Sequence, residues 1–124
     1  MMKRIKASVL AMAFFGLASS AQASTWEMDM SHSQIGFSVR HMMVSNTSGR
    51  FAKATGTLEL DDKDLARSNV SIAIETASVD TQDQKRDEHL RSPDFFATAE
   101  HPQMTFKSKS VKAKGKGYVI NGDL

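Results

Sequence analysis

In Gln34-Ile35-Gly36-Phe37-Ser38-Val39-Arg40, Ile35, Phe37 and Val39 face one way, while Gln34, Gly36, Ser38 and Arg40 face the other. A period of two marks a strand with one face buried and one face wet. The same alternation spreads outward from this stretch. Upstream, Trp26, Met28 and Met30 alternate with Glu27 and Asp29 until His32-Ser33 breaks the run. Downstream, Leu58 and Leu60 oppose Thr57 and Glu59, Val70, Ile72 and Ile74 oppose Ser71 and Ala73, and Met104 and Phe106 oppose Thr105 and Lys107. Val111 follows across a change of register, and Gly115-Lys116-Gly117 turns the chain into a returning strand over Tyr118–Leu124. Asn46-Thr47-Ser48-Gly49 has turn chemistry, and Asp61-Asp62-Lys63-Asp64 reads as a charged loop.

One segment departs from this period. Thr81-Gln82-Asp83-Gln84 has capping-box spacing, which predicts a helix running to about Arg91. Lys85, Arg86, Asp87 and Glu88 give it a charged face, with Leu90 inward, and Ser92-Pro93 ends it. Asp94-Phe95-Phe96 then forms a short turn whose two aromatics require burial. Runs of strands with few helices predict an all-β sandwich or barrel carrying one short helical excursion.

The N-terminus has a different character. Met1–Lys6 is basic, Ala7–Ala18 is apolar apart from Ser8 and carries no charge, and Ser19–Ala23 supplies small residues before a cut after Ala23. These three regions identify residues 1–23 as a cleavable secretory signal peptide. The apolar run is much shorter than the roughly 20 residues a spanning helix needs. It has no twin arginine and no cysteine after the small residues, so the reading is export by the general secretion route without lipid modification. The expected product is a soluble domain over residues 24–124, with no stable membrane span.

Lys3, Arg4 and Lys6 are three of the 16 basic residues, and residues 1–23 hold none of the 14 acids. The remainder therefore carries 13 basic against 14 acidic side chains, a net of −1. That balance provides no global field for nucleic acid. Lys107, Lys109, Lys112, Lys114 and Lys116 cluster without interleaved stacking aromatics, the pattern of a solvated hairpin tip. With 0 cysteines the domain has no disulfide, thiolate metal site or cysteine nucleophile. Its length suits one core.

No enzymatic motif stands out: G-x-S-x-G, P-loop, G-x-G-x-x-G and H-E-x-x-H patterns are all missing. His32, His41, His89 and His101 are dispersed, so no metal site is expected. Asp87, His89 and Ser92 imitate a triad in order only, because residues two apart on a helix do not face each other. The catalytic assignment is none. The bulky apolar residues are many for so short a domain. They suffice for an ordinary core, yet a closed barrel of about eight strands also leaves room for one apolar ligand.

Several stretches resemble the YceI-like family of periplasmic polyisoprenoid-binding proteins. They begin with Trp26-Glu27-Met28-Asp29 and His32–Ser45, followed by Gly49-Arg50-Phe51 and Gly56-Thr57-Leu58. The most specific is Arg86-Asp87-Glu88-His89-Leu90-Arg91-Ser92-Pro93-Asp94-Phe95-Phe96, which continues into His101–Ser108. The resemblance implies an extended lipocalin-like antiparallel β-barrel whose apolar cavity takes up a polyisoprenoid, such as a quinone tail or prenyl phosphate. Family members continue with further closing strands, so the barrel is expected to be C-terminally incomplete in this chain.

On that basis a periplasmic domain is expected to sequester or carry a polyisoprenoid or other long-chain apolar ligand, with no separate cofactor. Ile35, Phe37, Val39, Phe51, Leu58, Val70, Ile72, Met104 and Phe106 are the expected lining, with Phe95 and Phe96 walling the cavity from the helical excursion. Arg40, His41, Arg86 and His89 are the head-group candidates. A hydrolase or isomerase acting on a lipid would need a nucleophile–base–orienter pattern that the sequence does not offer. The remaining alternative is a periplasmic protein-interaction or stress-related module with no lipid cargo. A homodimer is left open.

Overall fold

The computed structural model describes residues 23–124, so the signal segment read over residues 1–23 lies outside it apart from Ala23. Eight strands and one helix follow in order: β1 (Ser24–Glu27), β2 (Ile35–His41), β3 (Ser45–Phe51), β4 (Ala54–Leu60), β5 (Asn69–Glu75), β6 (Val79–Asp80), α1 (Gln84–Arg91), β7 (Gln103–Lys114) and β8 (Gly117–Asp123). They form two antiparallel sheets, ordered β1-β4-β5-β7-β8 and β2-β3-β6. The all-β reading with one helical excursion holds. The arrangement is lipocalin-like, and the two sheets do not join into a closed barrel among the described residues.

One corner joins the sheets. Only Ala52 and Lys53 separate β3 from β4, and a 3-10 turn over Thr76–Ser78 separates β5 from β6. The two crossings bond to each other. Ala52 N–H donates to the Ser78 carbonyl and Glu75 N–H to the Lys53 carbonyl, each at 3.0 Å. Lys53 N–H donates to Ser78 Oγ, also at 3.0 Å. Residues 45–60 and 69–80 are therefore one long hairpin folded over at its middle, which turns the two inner faces toward each other.

The buried core sits at this fold: Phe51 is 4% exposed, Ile74 5% and Val79 1%. Ile35, Phe37, Ala54, Ile72, Leu90, Phe96 and Met104 pack around them. Three of these side chains form an aromatic triangle. Ring centroids are 5.6 Å apart for Phe37–Phe51, 5.5 Å for Phe51–Phe96 and 6.3 Å for Phe37–Phe96. The Phe96 contacts are edge-on, the arrangement favoured by the ring quadrupole. Phe37 lies directly over its cross-strand partner Gly49. A Cβ at Gly49 would collide with Phe37 Cζ and come within 2.8 Å of both Phe37 Cε1 and Thr81 Cγ2.

Polar groups hold α1 in place. Asp83 is the N-cap, its side chain accepting from Arg86 N–H at 3.1 Å. Asp87 is buried and accepts from Thr81 N–H at 2.9 Å and Thr81 Oγ1 at 2.6 Å. Arg86 grips the same residue, with Nε donating to Thr81 Oγ1 at 2.7 Å and Nη2 to its carbonyl at 2.8 Å. Arg91 donates to the carbonyls of Ala77 at 2.9 Å and Val79 at 3.2 Å. The excursion is thus bonded to Val79 of β6, to Ala77 in the turn before it and to Thr81 just after it.

Several local expectations are corrected. The cap is Asp83 rather than Thr81, because Thr81 is spent on Asp87 and Arg86. Asp87 therefore leaves the exposed charged face. Of the two aromatics after the helix, Phe96 enters the triangle while Phe95 stays 57% exposed. The β2–β3 turn lies at Met42-Met43, both with positive φ (48° and 62°), closed by Val44 N–H donating to the His41 carbonyl at 3.1 Å. Asn46–Gly49 is strand instead, since that register sets Gly49 beneath Phe37. The expected register change in β7 is a bulge between Ser108 and Ser110, which turns Val111 inward to 5% exposure.

Gly49→Ala should push the Phe37 ring out of the triangle and cost about 1–3 kcal/mol of stability, the usual range for overpacking. Asp87→Ala, which strands two Thr81 donors in a buried place, should cost about 1–3 kcal/mol. Both are read as a lower urea midpoint with unchanged slope. An unmoved midpoint in either variant contradicts the packing described.

Candidate functional site

Between the inner face of β2–β3, the corner ends of β5 and β7, and α1 with its following turn lies a cavity of about 990 Å³. Small-molecule sites occupy about 300–1,000 Å³, so this one is at the large end. Ile35, Phe37, Val39, Phe51, Ile74, Leu90, Phe95, Phe96, Met104 and Leu124 make its wall overwhelmingly apolar. Its polar groups are few: Thr47, Thr81, His41, Arg86 and His89. Among the described residues one side is open, where Val39 and Phe95 are 57% exposed.

Strand alternation sorts the β2 residues. Ile35, Phe37, Val39 and His41 point into the cavity, which leaves Arg40 on the opposite face. From the excursion, Arg86 reaches the cavity already bonded to Thr81. His89 has its Nε2 at 3.2 Å from Asp94 Oδ2 and its ring edge-on to Phe95 with centroids 4.9 Å apart. The arrangement is an apolar slot with a cation and two imidazoles among its lining.

The remaining expected lining residues sit elsewhere. Leu58 and Val70 are register partners on the same sheet face, but four residues along β4 and β5 from Ile74, which borders the cavity, and its partner Ala54. At about 3.4 Å per residue that is roughly 14 Å away. Ile72 and Phe106 border a shallower depression of about 480 Å³ over the middle of the five-stranded sheet, together with Met28 and Gly56. Ile74, Thr47, Thr81, Leu90 and Leu124 line the cavity without having been singled out as ligand contacts. Ile74 carried a readable signal, since it continues the alternation of Val70 and Ile72.

Among the described residues, the triad-like side chains take other partners. Asp87 faces Thr81, His89 faces Asp94, and Ser92 Oγ donates to the His89 carbonyl at 2.5 Å as part of the helix end. Near β2, Ser31 Oγ and Asp29 Oδ2 both approach His32 Nδ1, at 2.9 and 2.8 Å, so they share one nitrogen instead of flanking the ring. Hydrogen bonds from the Ser31 hydroxyl and His32, with the Ser31 N–H, hold the Asp29 carboxyl below its ordinary value. Asp80 is lowered mainly by the Gln82 N–H, with Arg50 adding to it. Among the described residues no three His, Asp or Glu side chains are grouped to hold a metal ion. Nor is any helix among them long and apolar enough to cross a membrane.

Comparison with known proteins places this geometry. The YceI-like domain matches residues 26–124. Protein YceI of an Escherichia coli O17:K52:H18 strain is 41% identical, the match covering 97% of this chain and 65% of that protein. A UPF0312 protein of Photorhabdus laumondii is 37% identical over 100% of this chain and 66% of its own length. The chain thus spans about two-thirds of the length of these relatives. Among solved structures, Burkholderia cenocepacia BcnA superposes with a TM-score of 0.69 at 26% identity, covering 76% of this chain and 59% of that one. A Campylobacter jejuni YceI protein gives 0.57 at 32% identity, covering 77% and 56%. With its sequence matched from Trp26 to Leu124 and its sheets shared with these structures, the chain belongs to the YceI-like domain family.

Proposed function

We propose that this is a periplasmic carrier domain that takes a polyisoprenoid or similar long-chain apolar ligand into the cavity between its sheets. The observation that carries the reading is the wall itself: ten apolar side chains around about 990 Å³, interrupted by few polar groups. Family membership supports it, as does the secretory pattern of residues 1–23, which would route the domain over residues 24–124 to the periplasm.

The energetics suit a hydrocarbon. Removing about 300 Å² of apolar ligand surface from water contributes roughly 7–8 kcal/mol before ordering costs. Arg86 and the two imidazoles would orient a polar head, with Arg86 held ready by its bonds to Thr81. Such a site binds and shields; it moves no proton and breaks no bond.

Native mass spectrometry of protein purified from the periplasm should show an intact-mass excess that organic extraction identifies as a polyprenyl compound. A ligand-free protein that also refuses added polyprenyl lipid defeats the proposal. Val39→Asp sets a carboxylate on the cavity wall at a partly exposed position, so the fold should survive. Affinity for a fluorescent polyprenyl analogue should fall by about tenfold or more, the worth of one buried aliphatic side chain. Unchanged affinity in the folded variant would remove β2 from the binding wall.

A further inference from the structure

Strands β2 and β3 are paired along their whole length, from Ile35↔Phe51 to His41↔Ser45. Only Arg50 and Phe51 of β3 pair onward to β6. Among the described residues, the rungs from Phe37↔Gly49 to His41↔Ser45 pair with no third strand, and they carry the hairpin about 17 Å past its last rung to β6 at 3.4 Å per rung. Its tip is Met42-Met43-Val44, which are 80%, 78% and 88% exposed. Scattered exposed apolar residues are ordinary, but three in a row at the end of a hairpin are not.

The tip also breaks the local rule for its turn. Met42 and Met43 are consecutive left-handed residues, with φ of 48° and 62°, where Asn-Gly is the favoured pair. Two flexible thioether side chains are held there at a conformational cost, and local rule-breaking of this kind concentrates at functional places. Charge points the same way. Between Asp29 and Glu59 the chain has no acidic residue, and Arg40 stands beside the tip. Val39, His41 and Thr47, immediately behind it, line the cavity. The tip is thus joined to the ligand site through His41, Thr47 and Val39.

We infer that the β2–β3 tip docks on an anionic lipid bilayer, with Met42, Met43 and Val44 entering the interface and Arg40 meeting the lipid phosphates. An apolar tip flanked by a cation has the chemistry of interfacial anchoring. Docked in this way, the open side of the cavity faces the membrane from which an apolar ligand must come. The proposal rests on the apolar-ligand reading for its purpose, while its geometry stands apart from it.

The test is flotation of the full protein with phosphatidylethanolamine–phosphatidylglycerol vesicles, against phosphatidylcholine vesicles as the uncharged control. The wild type should float with the anionic vesicles and be released by high salt. The double variant Met42→Asn, Met43→Gly should lose at least about tenfold of this association. Its melting temperature should not fall, because Asn-Gly suits the turn. Val44→Ser, outside the left-handed pair, should show a partial loss. Both variants should still bind farnesol delivered from solution. Lost farnesol binding in the wild type would defeat the apolar-ligand reading instead and leave the flotation result to judge docking. Docking is overturned if the wild type stays with the unbound fraction, if the double variant floats like the wild type, or if cross-linking shows the tip buried against a second copy of the chain.

Discussion

Everything in this fold depends on bringing the Phe37–Phe51–Phe96 triangle together. Phe51 ends β3 at the corner, Phe37 comes from β2, and Phe96 follows the helical excursion, so three separate segments share one cluster. Without a disulfide, apolar contact must hold the excursion against the sheets. The triangle does this at centroid distances of 5.5 to 6.3 Å. Gly49 is the condition for it, because any side chain there would occupy the space that the Phe37 ring takes.

The polar contacts have a different task. Thr81 and Asp87 are both buried, and each satisfies the other. No buried side-chain nitrogen or oxygen among the described residues lacks a hydrogen-bond partner. A satisfied buried network adds little net stability but penalises every alternative placement of the helix, which would strand its members in an apolar surround. Apolar contacts draw α1 toward the sheets, and the Arg86, Asp87 and Arg91 bonds select one placement. The surface ion pair Arg50–Asp80, at 3.3 Å with both partners partly exposed, adds little by comparison.

The sequence was most readable where one face is buried and the other wet. Alternation located the strands around Phe37, Leu58, Ile72 and Met104, the turn at Gly115 and the register change before Val111. It was less readable where tertiary demands overrode composition. Asn46–Gly49 has turn residues, yet the glycine is consumed beneath a phenylalanine and the turn moves to two methionines. Thr81 has the spacing of a cap, yet its hydroxyl serves Asp87. Alternation also says which face a residue takes, not how far along the strand the opposing sheet reaches. For that reason Ile74 and Met104 border the cavity while Leu58 and Val70, on the same face, do not.

The cavity walls differ in how they are held. The wall from α1 is fixed by hydrogen bonds that Arg86 and Arg91 donate and Asp87 accepts, and by Phe96 in the aromatic triangle. Among the described residues, the facing wall over Val39, His41 and Thr47 is made by β2 and β3, which pair with each other along this stretch. In the carrier role proposed above, the hydrogen-bonded side would hold Arg86 in place for a head group, while the wall over Val39 would meet the tail.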